Sequence, residues 1–176
     1  QARQQHMLGQ VDALRAGVTC VVTGPGSANP IGGQLAAIKT GGRRIDDMIV
    51  KAPLAMKLAL GENPKTVYHE KERGPVTRMA TAALIRDALF KAREYLGNQK
   101  KEDKSEFDFK AESLGALFSG LQAHFHAHRA DDIFTAVRIA REFGLDFAIV
   151  HGTEGHLIVP ELKSDGVRVI TGPSFG

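Results

Sequence analysis

The fold is decided by Leu121-Gln-Ala-His-Phe-His-Ala-His128 and its echo, Leu145-Asp-Phe-Ala-Ile-Val-His151-Gly152. Each is a short apolar run that ends in histidine. Between them, Ile133, Val137 and Ala140, flanked by Phe134 and Phe143, recur at helical spacing over 129–144, and Gly144 supplies a stop. Strand, helix, strand at this length is a βαβ unit, so the two strands are expected to be parallel and adjacent. Neighbouring strands lie about 5 Å apart, close enough for imidazoles at equivalent ends to share one ion through bonds of about 2 Å. Both histidine ends fall where a strand leaves the sheet, the edge at which α/β proteins place their chemistry. His126, His128 and His151 are therefore candidate metal ligands, at least two of them acting together, with His156 close behind. His124 shares a strand face with His126 but lies deeper, and is expected to be a core or barrel-interior residue.

The rest of the chain extends this pattern. A helix is expected over 3–16, a buried strand over Val18–Thr23, and a turn-rich loop at Gly24-Pro-Gly-Ser-Ala-Asn-Pro-Ile-Gly-Gly33. Leu35–Thr40 and Met48–Ala52 read as short strands, and Met56–Leu60 runs into the polar loop Gly61–Lys65. Residues 76–96 carry Ile85, Leu89, Ala92 and Leu96 along one helical stripe. A polar stretch, 97–106, leads to a shorter helix over 107–117; a helix over 154–164 and a strand over 167–170 follow the histidines. Strands alternating with helices mean a doubly wound sheet or a (β/α) barrel. Ligands from two adjacent strand ends favour the barrel.

Composition narrows the function. The 176 residues suffice for one sizeable core, and 43% apolar with 24% charged residues is ordinary for a globular protein. Net charge is +3, but basic residues are scattered among acids, and the densest run, Lys100-Lys-Glu-Asp-Lys104, mixes signs. No nucleic-acid partner is expected. No apolar run reaches the roughly 20 residues of a membrane helix, so no membrane partner is expected either. The single cysteine, Cys20, sits in the apolar run Val18-Thr-Cys-Val-Val22, is expected to be buried and inert, and points to a reducing, cytoplasmic setting. Gln1 at one end and Ser174-Phe-Gly176 directly after an apolar run at the other suggest a piece of a longer protein.

Four motifs in order carry a resemblance: Val18–Gly33, Lys57-Leu-Ala-Leu-Gly-Glu-Asn-Pro-Lys65, His126-Ala-His-Arg-Ala-Asp-Asp132 and His151-Gly-Thr-Glu-Gly-His156. Together they are similar to the imidazolonepropionase-like branch of the amidohydrolase superfamily. That resemblance implies a metal-dependent hydrolase on a (β/α)8 TIM-type barrel, cleaving C–N bonds of cyclic amides, related heterocycles or peptides with metal-activated water. It matches His126 to the family's strand-5 histidine and His151 to its strand-6 histidine. Glu62 is the first choice for the middle ligand; Lys57, which ligates only when carboxylated, is the rival. The metal implied is zinc, with manganese or iron as alternatives. His128 and His156 are candidate catalytic groups; Arg129, Ser27 and Asn29 are candidate contacts to a small-molecule substrate.

The departures bear on activity. No His-x-His pair precedes Val18, where His6 stands alone, and nothing after Gly176 supplies a strand-8 aspartate. Residues 1–176 therefore read as one incomplete barrel of about strands 2–7, without strands 1 and 8 or the flanking β-sandwich, and inactive alone. The competing readings are a small-ligand binding module and a non-catalytic partial barrel whose open edges drive self-association.

Overall fold

The computed structural model describes residues 11–64, 66, 75–100 and 106–172. His6, most of the expected first helix and parts of the 61–65 and 97–106 loops lie outside the described residues. Among the described residues the sheet has six strands in the order β1 to β6: Cys20–Thr23, Ile31–Lys39, Ile49–Ala59, Gln122–Ala127, Phe147–His151 and Arg168–Thr171. Helices among the described residues include α1 (Ile45–Met48), α2 (Arg78–Gln99), α3 (Phe109–Gly115), α4 (Ala130–Phe143) and α5 (Val159–Ser164). No helix among the described residues is long and apolar enough to cross a membrane.

The parallel βαβ expectation holds from β3 onward and fails before it. β3, β4, β5 and β6 pair in parallel, whereas β1, β2 and β3 pair antiparallel. The cause is the connection: seven residues join β1 to β2 and nine join β2 to β3, too few for a crossover helix. β3 is one strand of 11 residues in place of two expected runs. It carries Pro53 where its register with β2 slips between Lys51 and Ala55, a site at which a missing N–H costs no ladder bond.

Two further expectations need correction. Cys20 is exposed, because β1 closes one end of the strand order and pairs with β2 alone. The helix expected over 154–164 is split into a 3-10 turn, Thr153–Leu157, and α5. Pro160 stands at the start of α5, and its ring and missing N–H prevent a continuous helix through that point.

The core lies between one face of the sheet and the helices. Met56, Leu58 and Leu60 of β3 and its exit, Ala123, Phe125 and Ala127 of β4, and Ile149 of β5 pack with Ile85, Leu89 and Ala92 of α2 and Ile133, Ala136 and Ala140 of α4. Strand alternation sends the intervening residues, Lys57, His124 and His126, to the opposite face. The sheet is therefore apolar against its helices and polar on its concave side, as in a curled half-barrel. Phe125 is fully buried at the centre of the apolar layer. Phe125→Ala is expected to cost about 3–5 kcal/mol, read as a lowered urea midpoint with an unchanged denaturant slope.

Candidate metal centre

The parallel register aligns the chemistry. Ala59 of β3 pairs with His126, and His126 pairs with Val150; one residue on, Ala127 pairs with His151. Period two alone puts His151 on the helix-facing side with Ile149. The structure escapes that outcome through the backbone: His151 has φ 73°, a left-handed conformation that costs a non-glycine residue about 1–2 kcal/mol. Gly172 also makes room, since a Cβ there would lie 2.5 Å from His151 Nδ1. The His151 ring thereby comes within 4.7 Å of His126, centroid to centroid.

Three imidazoles meet at this point. His128 lies 4.6 Å from His126 and 4.9 Å from His151 between ring centroids, and the last pair is stacked. One nitrogen from each ring falls within 4.8 Å of the other two. Hydrogen bonds hold the flanks. His128 Nδ1 is 2.7 Å from Thr153 Oγ1, and Thr153 immediately follows Gly152. Glu154 donates its backbone N–H to the carbonyl of His128, and its carboxylate accepts from Ala130 N–H at the start of α4. The loop after β5 is thus tied to the end of β4.

Electrostatics disfavour the charged forms of His126 and His151. Burial, with Lys57, His128 and His151 nearby, pushes His126 down to about 3. Burial likewise lowers His151, with smaller contributions from His128 and Lys57. His126 Nε2 is 3.1 Å from the side-chain amide of Asn63, while His126 Nδ1 is buried without a hydrogen-bond partner. A neutral imidazole with one nitrogen anchored and the other unsatisfied beside two more imidazoles is what a divalent ion of the zinc type requires. The residues present fit such an ion.

The remaining sequence candidates are distributed around this cluster. Lys57 is 8% exposed on β3, opposite His124, and burial lowers its pKa. His124 is buried on the concave face and hydrogen-bonded to Gln122 Oε1 at 2.8 Å, which matches the expected barrel-interior residue rather than a core one. Glu62 forms an ion pair with Arg78 and is not among the three clustered side chains. Arg129 pairs with Asp131 through two bonds of 3.1 Å at the exposed start of α4. Ser27 and Asn29 sit in the β1–β2 loop, whose Pro30 carbonyl accepts from Ala59 N–H at the end of β3. His156 is exposed, and its Nδ1–H donates to the Thr153 carbonyl at 3.0 Å, leaving Nε2 as an acceptor. Sequence reasoning missed Asn63, Arg78, Thr153 and Gly172. Asn63 and Thr153 lie within two of the four motifs but carry no mark of their roles; Arg78 and Gly172 carry no local signal.

No family model matches the chain. Two known proteins do. A curated protein named amidohydrolase tasK, from Hapsidospora irregularis, is 29% identical over 180 residues, covering 87% of this chain and 18% of its own length. A crystal structure of an amidohydrolase from Thermotoga maritima MSB8 superimposes with a TM-score of 0.89 at 43% identity, over 97% of this chain and 45% of that one. By sequence and by fold, the chain matches a segment of amidohydrolase-superfamily proteins. It spans less than half the length of either relative.

The histidine cluster has two measurable consequences. The unfolded chain binds a proton at His126 near pH 6.5, whereas the folded protein resists until about 3. The stabilisation is therefore complete above 6.5 and is lost as pH falls toward 3. In metal-free protein, His126→Gln is expected to flatten the fall of unfolding free energy between pH 6 and 4 by up to about 1.4 kcal/mol per pH unit. Gly172→Ala is expected to displace the His151 ring from His126 and His128, read as changed ring resonances of these histidines by NMR, with little change in melting temperature by thermal unfolding.

Proposed function

We propose that the protein carrying this chain is a metal-dependent amidohydrolase that cleaves a C–N bond of a cyclic amide, related heterocycle or peptide. The observation that carries this reading is the convergence of His126, His128 and His151, with His126 Nδ1 buried and unsatisfied. On this reading β3–β6 are four consecutive strands of a (β/α)8 barrel, with β4 and β5 as strands 5 and 6. The antiparallel β1 and β2 then stand outside the series, and the barrel strands in the chain are 4–7 rather than 2–7.

His126 and His151 would hold the ion, zinc by preference, with His128 as a third nitrogen donor or as a group facing substrate. For the middle ligand we favour Lys57 over Glu62. Lys57 projects from β3 on the same face as His126, and burial lowers its pKa toward the neutral amine that reacts with carbon dioxide. That reaction forms an N–C bond, releases one proton and leaves an anionic carbamate. Glu62 already serves Arg78. With an ion bound, the site would gain a hydroxide source near neutral pH and a Lewis acid for the scissile carbonyl.

The chain's own groups do the rest. His156 presents Nε2 as a proton acceptor because its Nδ1–H is committed to Thr153. Arg129 has a planar fork suited to a substrate carboxylate once it leaves Asp131. Ser27 and Asn29 lie on the loop anchored beside the end of β3 and would line the entrance. An exposed free thiol at Cys20 fits a reducing, cytoplasmic setting. β6 is exposed along all four residues and ends the strand order, which favours self-association as a second reading.

Metal analysis decides the main proposal. Purified protein is expected to carry zinc, manganese or iron near one ion per chain, and a His126→Ala/His151→Ala variant to carry less than a tenth of that. Equal metal content in both would reject the centre.

A further inference from the structure

The loop leaving β3 carries the anchor of His126. Asn63 reaches His126 Nε2 at 3.1 Å, and the loop that bears it is clamped from two sides. Arg78, at the start of α2, donates through Nε to both carboxylate oxygens of Asp132 at 3.2 Å and pairs through Nη2 with Glu62. Asp132 lies in the first turn of α4 and its side chain is only 6% exposed. Gly61, at φ 81°, lets the loop pass against it: a Cβ there would sit 2.6 Å from Asp132 Oδ2. The starts of α2 and α4 therefore converge on the loop that bears Asn63.

The amide of Asn63 can meet an imidazole nitrogen in two ways. If its NH2 donates to Nε2, the ring proton resides on Nδ1, a buried atom with no acceptor, and is left unsatisfied. If the amide is turned by half a revolution, its oxygen accepts from Nε2–H, and Nδ1 is left as a lone pair. Histidine ligands to metals characteristically donate their second N–H to such an oxygen, which sets tautomer and ring orientation together.

We propose that Asn63 is a positioning residue that accepts the Nε2 proton of His126, so that Nδ1 is the nitrogen offered to the metal, and that the Arg78 ion pairs with Asp132 and Glu62 hold it in place. This rests on the metal-centre reading above and adds the residue that selects the ligating atom. Two substitutions of similar size separate the possible roles. An aspartate in this position is an acceptor only, and a leucine is neither donor nor acceptor. Asn63→Asp should therefore keep the Nε2–H arrangement and Asn63→Leu should lose it, whereas with a donating asparagine Asn63→Asp would switch the ring from the Nδ1–H to the Nε2–H tautomer.

The test is 15N NMR of the histidine rings in metal-free protein near pH 8, combined with zinc affinity by competition against a chelator. Wild type and Asn63→Asp are expected to show the Nε2–H tautomer at His126. Zinc binding in Asn63→Asp is expected within about three-fold of wild type, and in Asn63→Leu to be weaker by about 10–100-fold. Arg78→Gln should weaken zinc several-fold while leaving the tautomer acceptor in reach. An Nδ1–H tautomer in wild type, or equal zinc affinity in wild type and Asn63→Leu, would overturn the proposal. Wild type that binds no zinc would overturn the metal-centre reading instead, and the tautomer, measured without metal, would still decide the role of Asn63.

Discussion

The parallel pairing of β3, β4 and β5 is the constraint on which the site depends. It puts Lys57 beside His124 and Ala59 beside His126, and brings the ends of β4 and β5 out of the sheet at the same level. One residue of slip would send His126 into the layer occupied by Phe125 and replace it on the polar face with an apolar side chain. Register is in turn enforced from behind, where Met56, Leu58, Phe125 and Ile149 must all face α2 and α4. The apolar layer thus positions the polar one, and burial that stabilises the sheet also aligns the imidazoles.

That arrangement carries a cost, borne on the concave face. Lys57, His124 and His126 are buried there, and each has its pKa lowered, chiefly by loss of solvation. His151 adds a left-handed backbone to the same region. A protein selected for stability alone would have filled these positions with apolar side chains. Burial disfavours the charged form of each of these bases, and one imidazole nitrogen, His126 Nδ1, is left unpaired among them. Strain and desolvation gathered at one sheet edge are the mark of function rather than of folding.

Anchoring around the cluster comes from side chains distant in sequence. Glu154 caps α4 and bonds back to the end of β4; Thr153 steadies both His128 and His156. Arg78 joins the loop after β3 to α4 through Glu62 and Asp132. Each of the links to β4 and α4 ties two segments at the same edge of the sheet, so the site is braced as a unit although its residues come from three strands.

The βαβ unit was legible in the sequence because its signals are local. Period two in Leu121–His128, helical spacing through Ile133 and Val137, and Gly144 as a left-handed stop all act within a few residues. His124 was recognisable as interior for the same reason. The antiparallel β1–β2–β3 arrangement was less legible, since direction depends on how chain ends meet in space, and apolar runs read alike in either sense. Cys20 looked buried because neighbouring valines say nothing about whether a second strand covers them. What only the tertiary structure decided was the approach of His151, which needs a left-handed backbone and the absent side chain at Gly172, and the anchoring of His126 by Asn63. Both depend on residues far apart in the chain, and no local pattern records a contact made across the fold.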